Sequence, residues 1–135
     1  MELEVALTTY ILSKTGLTSL IGDRFYYDSL PQGKNYPAVV CMCIDDIPIH
    51  THNGISNYTR PNYQFTVYAS TRAGAKAVSK QIKLALSDYA GSMSGLNIQY
   101  ISLINELPNT EISTDGTIKK HTVDLEFEII YTRSD

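Results

Sequence analysis

The chain has 135 residues, of which 43% are hydrophobic and 19% are charged, a composition typical of one globular domain (residues 1–135) and not of a disordered segment. Its formal net charge of −3 argues against wrapping of nucleic acid, which needs a basic surface. The sequence has no apolar run long enough to span a membrane, and Glu2 and Glu4 stand where a signal peptide carries positive charge. Neither membrane insertion nor secretion is therefore expected.

The first predicted element is a helix over residues 2–14. Its apolar residues recur at helical spacing and predict one buried face, made of Leu3, Ala6, Leu7, Tyr10 and Ile11. Val5 and Leu12, one heptad apart, fall on the other side. We expect both to point outward and to form part of a contact surface for another protein.

A strand is predicted from Ala38 to Ile47, after an irregular segment over 29–37 that contains two prolines and a glycine. The strand is apolar on both faces, which favours a central position in a sheet. Asn53-Gly54 predicts a type I′ hairpin turn. Pairing about that turn predicts three cross-strand pairs: Thr51 with Ser56, Asp45 with Asn62, and Cys43 with Gln64.

Residues 45–62 are predicted to form a hairpin arm that extends past the sheet, and the name arm is kept for this segment. Pro48 and Pro61 cannot donate to a strand ladder, so an irregular or edge-like arm is expected, and a loop is the alternative. The arm carries apolar residues that need a partner, and we expect them to contact another protein: Ile47, Ile49, Ile55 and Tyr58.

A second helix is predicted from about 71 to 90, capped by Ser70 or Thr71. Its predicted buried residues are Val78, Ile82, Ala85, Leu86 and Tyr89. Its other side carries what we call the basic stripe: Arg72, Lys76, Lys80 and Lys83. A solvated helix face is the simplest interpretation of this stripe, and a protein interface is the next. Specific binding of nucleic acid is not expected, because no aromatic residues interleave with the cations.

Two more strands are predicted, over 96–106 and about 118–132, with a hairpin turn at 114–117. The last strand alternates most clearly, and its predicted inward residues are Val123, Leu125, Phe127, Ile129 and Tyr131. Its outward residues form what we call the acidic row: Asp124, Glu126 and Glu128. The prediction is therefore an α+β fold of two layers, a mostly antiparallel four-stranded sheet with two helices packed on one face and the extended arm.

The sequence offers no convincing catalytic or metal site. Cys41 and Cys43 lie inside an apolar strand, where cysteine behaves as a small hydrophobic residue, so we expect core cysteines and surface histidines at His50 and His52 instead of a zinc site. The acidic row is interpreted as a solvated face. No catalytic residue, cofactor or metal ligand is therefore assigned.

Four short segments carry a resemblance to a known family. They are Gly22 to Arg24, Pro31 to Gly33, Tyr36 to Val40, and Asp115-Gly116 before the last strand. In this order, with one helix before them and strand, helix and two strands after, the chain resembles the tail-completion (tail-to-head joining) proteins of long-tailed bacteriophages. The matching positions are structural and not catalytic.

The resemblance implies a structural virion protein, made in the cytoplasm of the bacterial host, that is not an enzyme and has no cofactor. It implies a location at the head-proximal end of the tail, between the tail tube protein and the head connector or stopper. It also implies a ring of identical subunits, with a hexamer as one candidate. A tail terminator or another ring-forming minor tail protein is the nearest alternative. A small cytosolic enzyme or ligand-binding module is the alternative of a different class.

Overall fold

The computed structural model describes residues 3–30, 36–51, 54–112 and 119–132, and for 46–51, 54–59, 111–112 and 119 it describes the backbone alone. The elements in chain order are α1 (Leu3–Leu12), α2 (Thr15–Ile21), β1 (Phe25–Tyr27), β2 (Ala38–Thr51), β3 (Gly54–Ala69), α3 (Arg72–Leu86), β4 (Gly91–Met93), β5 (Leu96–Ile112) and β6 (Lys119–Thr132).

The N-terminal region contains two helices where the sequence predicted one. The apolar spacing of α1 buries Leu3, Ala6, Leu7 and Ile11, as predicted. The helix ends at Leu12, and the chain turns into α2, which buries Leu17 and Ile21. The prediction of a single helix over 2–14 was therefore wrong at its C-terminal end.

Helix α3 forms the main cover of the sheet. Thr71 caps it, because the Thr71 hydroxyl accepts a hydrogen bond of 3.0 Å from the Gly74 N–H. The predicted buried residues Val78, Ile82, Ala85 and Leu86 are all buried. The helix ends earlier than predicted, so Tyr89 lies beyond it, half-buried, with its ring packed edge-on against Tyr10 at 5.0 Å.

The described strands form one six-stranded sheet in the order β1-β2-β3-β6-β5-β4. The parallel pair is β1–β2, and the other pairs are antiparallel. The α+β class is therefore confirmed, whereas the predicted four strands and two helices were too few. The missing strands, β1 and β4, have three residues each and are too short to show an alternating pattern.

The core lies between the sheet and the three described helices. On β6 the predicted inward residues Val123, Leu125, Phe127 and Ile129 are buried, and Tyr131 is half-buried against the core. The neighbouring strand β3 buries alternate residues in the same way from Tyr63 to Ala69. The opposite face of the sheet carries the polar residues of both strands, so the two faces follow the period of two that a strand imposes.

Register shifts interrupt the ladders on both sides of the sheet, two between β2 and β3 and two between β5 and β6. One shift in each ladder bears on the exposed apolar surface. The β2–β3 pairing shifts between Cys43 and Asp45, and the β5–β6 pairing shifts between Leu103 and Asn105, which leaves Ile44 and Ile104 without a cross-strand partner. Both isoleucines are about half exposed, at 46% and 50%.

The two shifts in the β2–β3 pairing explain two register errors. The predicted pair Asp45–Asn62 is confirmed, but Cys43 lies opposite Tyr63 and not Gln64. A second shift nearer the turn places Thr51 opposite Gly54, and not opposite Ser56 as predicted. The turn residues 52 and 53 lie outside the described residues, as does the predicted turn at 114–117.

The arm is a continuation of β2 and β3. The two strands stay paired from Ala38–Tyr68 to Thr51–Gly54, although Pro48 and Pro61 lie in the ladder. Among the described residues, β6 pairs with β3 as far as Tyr58–Thr132, and the tip of the hairpin extends past that pair. An extended hairpin is therefore confirmed for the backbone.

Candidate interaction surfaces

The basic stripe lies on the solvent side of α3. Arg72, Lys76 and Lys80 are exposed and form no ion pair with a described residue. Lys83 differs, because its Nζ lies 3.0 and 3.1 Å from the two carboxylate oxygens of Glu106 on β5. The stripe therefore presents three cations to solvent, while the fourth is paired with a carboxylate of β5.

A cavity of about 350 Å³ opens at the start of α3, beside the end of the β5–β6 hairpin. Its lining includes Arg72 and Lys76 from the helix and Thr110 and His121 from the strands. The Nδ1 atom of His121 lies 3.1 Å from the Thr110 hydroxyl. No carboxylate is among the described lining residues, so the cavity suits a negatively charged group. The sequence did not indicate this cavity, since His121 is 45 positions from Lys76 along the chain.

The acidic row lies on the opposite face of the sheet, as predicted, because it alternates with the buried residues of β6. Asp124 accepts a hydrogen bond of 2.9 Å from the Thr66 hydroxyl, and Glu128 lies 3.9 Å from Arg60 Nε. Glu126 makes no such contact with a described residue. Both charged surfaces are therefore on the outer sides of the two layers, partly neutralised within the chain.

The two outward residues predicted on α1 behave differently. Val5 is exposed, with 51% of its surface accessible, beside a surface pocket of about 310 Å³. Leu12 is half-buried and packs against the core, so its predicted outward position was wrong. The error arises because the chain turns at Ser13 into α2, and the end of α1 is covered as a result.

A small hydroxyl network borders the pocket beside Val5. Thr8 Oγ1 lies 2.7 Å from the Tyr27 hydroxyl, and each lies 2.8 Å from the carbonyl oxygen of Glu4. Burial raises the pKa of the Tyr27 hydroxyl well above its usual range. The network stays neutral at physiological pH and ties β1 to α1, which is a structural role.

The side chains of Ile47, Ile49, Ile55 and Tyr58 lie outside the described residues. Their backbones belong to the arm, where Ile47 pairs with Arg60 and Tyr58 pairs with Thr132. Their predicted contact with another protein stays a prediction.

The two cysteines have different environments, because β1 covers β2 as far as Cys41 and does not reach Cys43. Cys41 is buried, and burial, with the nearby Glu4 carboxylate, raises its pKa well above the usual range, so its thiol is a poor nucleophile. Cys43 is exposed, and its prediction as a core residue was wrong. His52 and the His50 side chain lie outside the described residues.

Among the described residues, no three His, Cys, Asp or Glu side chains gather in a way that could hold a metal ion. The helices in the described ranges also lack the length and apolarity that a membrane span requires.

Comparison with known proteins identifies the family. The family model described as Tail completion protein gp17 matches residues 5–132. The chain belongs to the gp17 family of tail completion proteins. The match confirms the resemblance expected from the sequence, and it makes this gp17 family member a structural tail protein of a phage-type particle.

A solved structure shares the fold of this gp17 family member. It is a chain of the "Virion of native gene transfer agent (GTA) particle", with a TM-score of 0.69 and 17% sequence identity. The alignment covers 96% of each chain. At this identity the likeness establishes the fold. No curated protein matches the chain significantly.

Proposed function

We propose that this protein completes the phage tail and joins it to the head connector as a ring of identical subunits, without enzymatic activity. The observation that carries the proposal is the family match over 5–132, nearly the whole chain. The gene transfer agent virion chain, which shares the fold, adds support. The partners we propose are further copies of the chain, the connector or stopper protein, and the tail tube protein, at the head-proximal end of the tail.

The distribution of charge supports contacts between copies. The cations of the basic stripe lie on the helical layer and the acidic row lies on the outer face of the sheet, so neighbouring subunits can present opposite charges to each other. Such complementarity sets register and encounter rate more than affinity. Raising the salt concentration should therefore weaken assembly, and assembly that does not respond to salt would contradict the electrostatic part of the proposal.

A matched pair of variants localises this effect. Lys76→Gln removes a charge from the cavity at the start of α3, whereas Lys83→Gln removes the same charge where Glu106 already neutralises it. Assembly should weaken in Lys76→Gln and stay near wild type in Lys83→Gln, as measured by light scattering and electron microscopy. Equal loss in both variants would show that only the net charge matters.

The arm and Val5 are proposed as further contact surfaces. An arm that extends beyond its neighbouring strand is a hazard for aggregation unless a partner covers it, and a ring or a connector supplies that partner. The test is to delete 49–57 and insert two glycines, which keeps the pairing of Tyr58 and Thr59 with β6. The variant should melt close to wild type and fail to restore infectious particles in a complementation assay.

The control for the deletion keeps the full length of the arm and replaces only His52 and Asn53 by glycine. This control should restore the titre. If the shortened arm also restores a normal titre, the arm is not an assembly surface.

A tail terminator or another ring-forming minor tail protein is the second candidate, supported by the fold shared with the gene transfer agent virion chain. The two differ in position, which electron microscopy of particles with labelled protein decides. Label between the tail tube and the connector supports tail completion. Label on free tails, which are not joined to heads, supports a terminator.

A further inference from the structure

Ile44 and Ile104, the two isoleucines at the bulges, lie near opposite edges of the sheet. Their positions along the strand direction are nearly the same. One cross-strand row runs through Cys43, Tyr63, Phe127 and Leu103. Ile44 follows Cys43 immediately, and Ile104 follows Leu103 immediately. The next row runs from Met42 to Asn105 through one residue each of β3 and β6. The two bulges therefore differ by at most one cross-strand row along the strand direction, and they lie near opposite edges of the sheet.

Both bulges also lie where their strand loses its outer neighbour. Strand β1 covers β2 as far as Cys41, whose carbonyl accepts a hydrogen bond of 2.9 Å from Asp28 N–H. On the other side, Asp88 and Tyr89 cover β5 as far as Ile101. Beyond these points no described strand pairs with the outer side of β2 or β5.

The two open edges hold a large share of the exposed apolar surface. Of the seven large apolar side chains that the described residues expose, four lie on these edges: Met42 and Ile44 on β2, Ile104 and Leu107 on β5. A bulge at an edge changes the direction of a side chain and prevents further strand pairing. The edges are therefore built to contact a partner through side chains.

Local hydrogen bonds on β5 also favour a side-chain contact over the addition of another strand. The N–H groups of Glu106 and Thr110 are each bonded to the side chain of the asparagine that precedes them, and Pro108 has no N–H to offer. An added strand would find few donors on this edge, whereas an apolar side-chain contact needs none.

We propose that the β2 edge of one copy packs against the β5 edge of the next through Met42 and Ile44 on one side and Ile104 and Leu107 on the other. A second copy fits because β2 and β5 run in opposite directions. A rotation about an axis parallel to the strands therefore brings the two edges side by side at equal height. Every copy then covers both of its open edges, as a closed head-to-tail ring requires.

A two-fold dimer would pair one edge with itself and leave the other edge exposed. The edge contact rests on the proposed ring and names the surfaces that form it.

Site-directed cross-linking tests the contact, because Cys43 is an exposed native thiol next to Ile44. The variant Ile104→Cys is assembled into particles by complementation and treated with a short bismaleimide. Cys43 of one copy should link to the new thiol of the next, giving a ladder of covalent multimers on a denaturing gel. Cys41 should not react, because it is buried.

Two controls make the result specific. Leu84→Cys places an equally accessible thiol on α3, away from both edges, and should give monomers. Cys43→Ser combined with Ile104→Cys should also give monomers. Dimers in this double variant would show that like edges meet, which overturns the head-to-tail contact.

The outcomes separate the edge contact from the proposed function. A ring seen at the head-proximal end of the tail without a covalent ladder overturns the edge contact and leaves the function intact. Particles that lack the protein overturn the proposed function. The same reaction on the concentrated purified chain then decides the edge contact, with a ladder supporting it and monomers overturning it.

Discussion

The middle of the sheet and its two sides follow opposite patterns. On β3 and β6, buried and polar residues alternate without interruption from Tyr63 to Ala69 and from Val123 to Ile129. On β2 and β5, a bulge interrupts the ladder and exposes an isoleucine. The difference shows that the middle strands specify the fold, whereas the flanking strands expose apolar residues that the core does not use.

The largest expected effect is in the middle. Phe127 is fully buried, with its ring 5.6 Å from that of Phe65, so Phe127→Ala should leave a cavity and lower the free energy of unfolding by ~3–5 kcal/mol. The melting temperature should fall by about 10–20 °C. Ile104→Ala, at the exposed bulge, should change it little. A melt of Phe127→Ala within a degree or two of wild type would contradict the register of β6.

The two cysteines of β2 allow the comparison within a single strand. The pKa of Cys41 is raised in the fold, so its contribution to stability is fully present below the pKa of the unfolded thiol and is lost as pH rises toward the folded value. Unfolding by urea at pH 7 and pH 10 should show a loss of ~1.4 kcal/mol that is attributable to this thiol.

Replacing each cysteine in turn assigns that loss. Cys41→Val should reduce it, because the buried thiol that ionises only on unfolding is then absent. Cys43→Ser should retain it, since Cys43 is exposed. The same alkaline loss in Cys41→Val as in wild type would show that other groups cause it.

A smaller effect is expected where the middle of the sheet contacts α1. The Tyr63 hydroxyl donates a hydrogen bond of 3.2 Å to the Glu4 carboxylate, and Tyr63→Phe should cost ~1 kcal/mol. Tyr26→Phe is the matched control, because the Tyr26 hydroxyl has no hydrogen-bond partner among the described residues. Equal denaturation midpoints for the two variants would mean that the bond to Glu4 contributes nothing.

The smallest effect is expected at the β5 edge. Lys83 and Glu106 are each about one-third exposed, so their ion pair should contribute less than ~1 kcal/mol. A double-mutant cycle with Lys83→Met and Glu106→Gln measures it. A coupling above ~2 kcal/mol would show that the edge is held as firmly as the core, and the contrast between middle and edge would fail.

The elements that the sequence predicted well are the long ones. Helix α3 and strand β6 extend over 15 and 14 residues, enough for their periods to be unmistakable. Strands β1 and β4 extend over three residues each, and α2 extends over seven. Short elements form here because their neighbours hold them, and their own sequence carries little information.

The candidate surfaces show the same limit. The basic stripe and the acidic row follow from the spacing of residues along one helix and one strand, and the structure places both as expected. The exposure of Cys43 depends on where β1 ends, and the burial of Leu12 depends on a turn. The pairing of Lys83 with Glu106 depends on a contact between distant segments. Such features depend on tertiary structure, which no single segment encodes.

The order of the strands has a consequence for synthesis on the ribosome. Strand β6 is made last but lies between β3 and β5, so the sheet stays divided until the final part of the chain emerges. Pairing between β3 and β6 joins residues such as Phe65 and Leu125, which are far apart in sequence, and such pairing is slow. A nascent or truncated chain therefore cannot hold β2 and β5 at matching heights. In the proposed ring, only a subunit with β6 in place would present both edges to its neighbours, so an incomplete copy would be excluded by its shape.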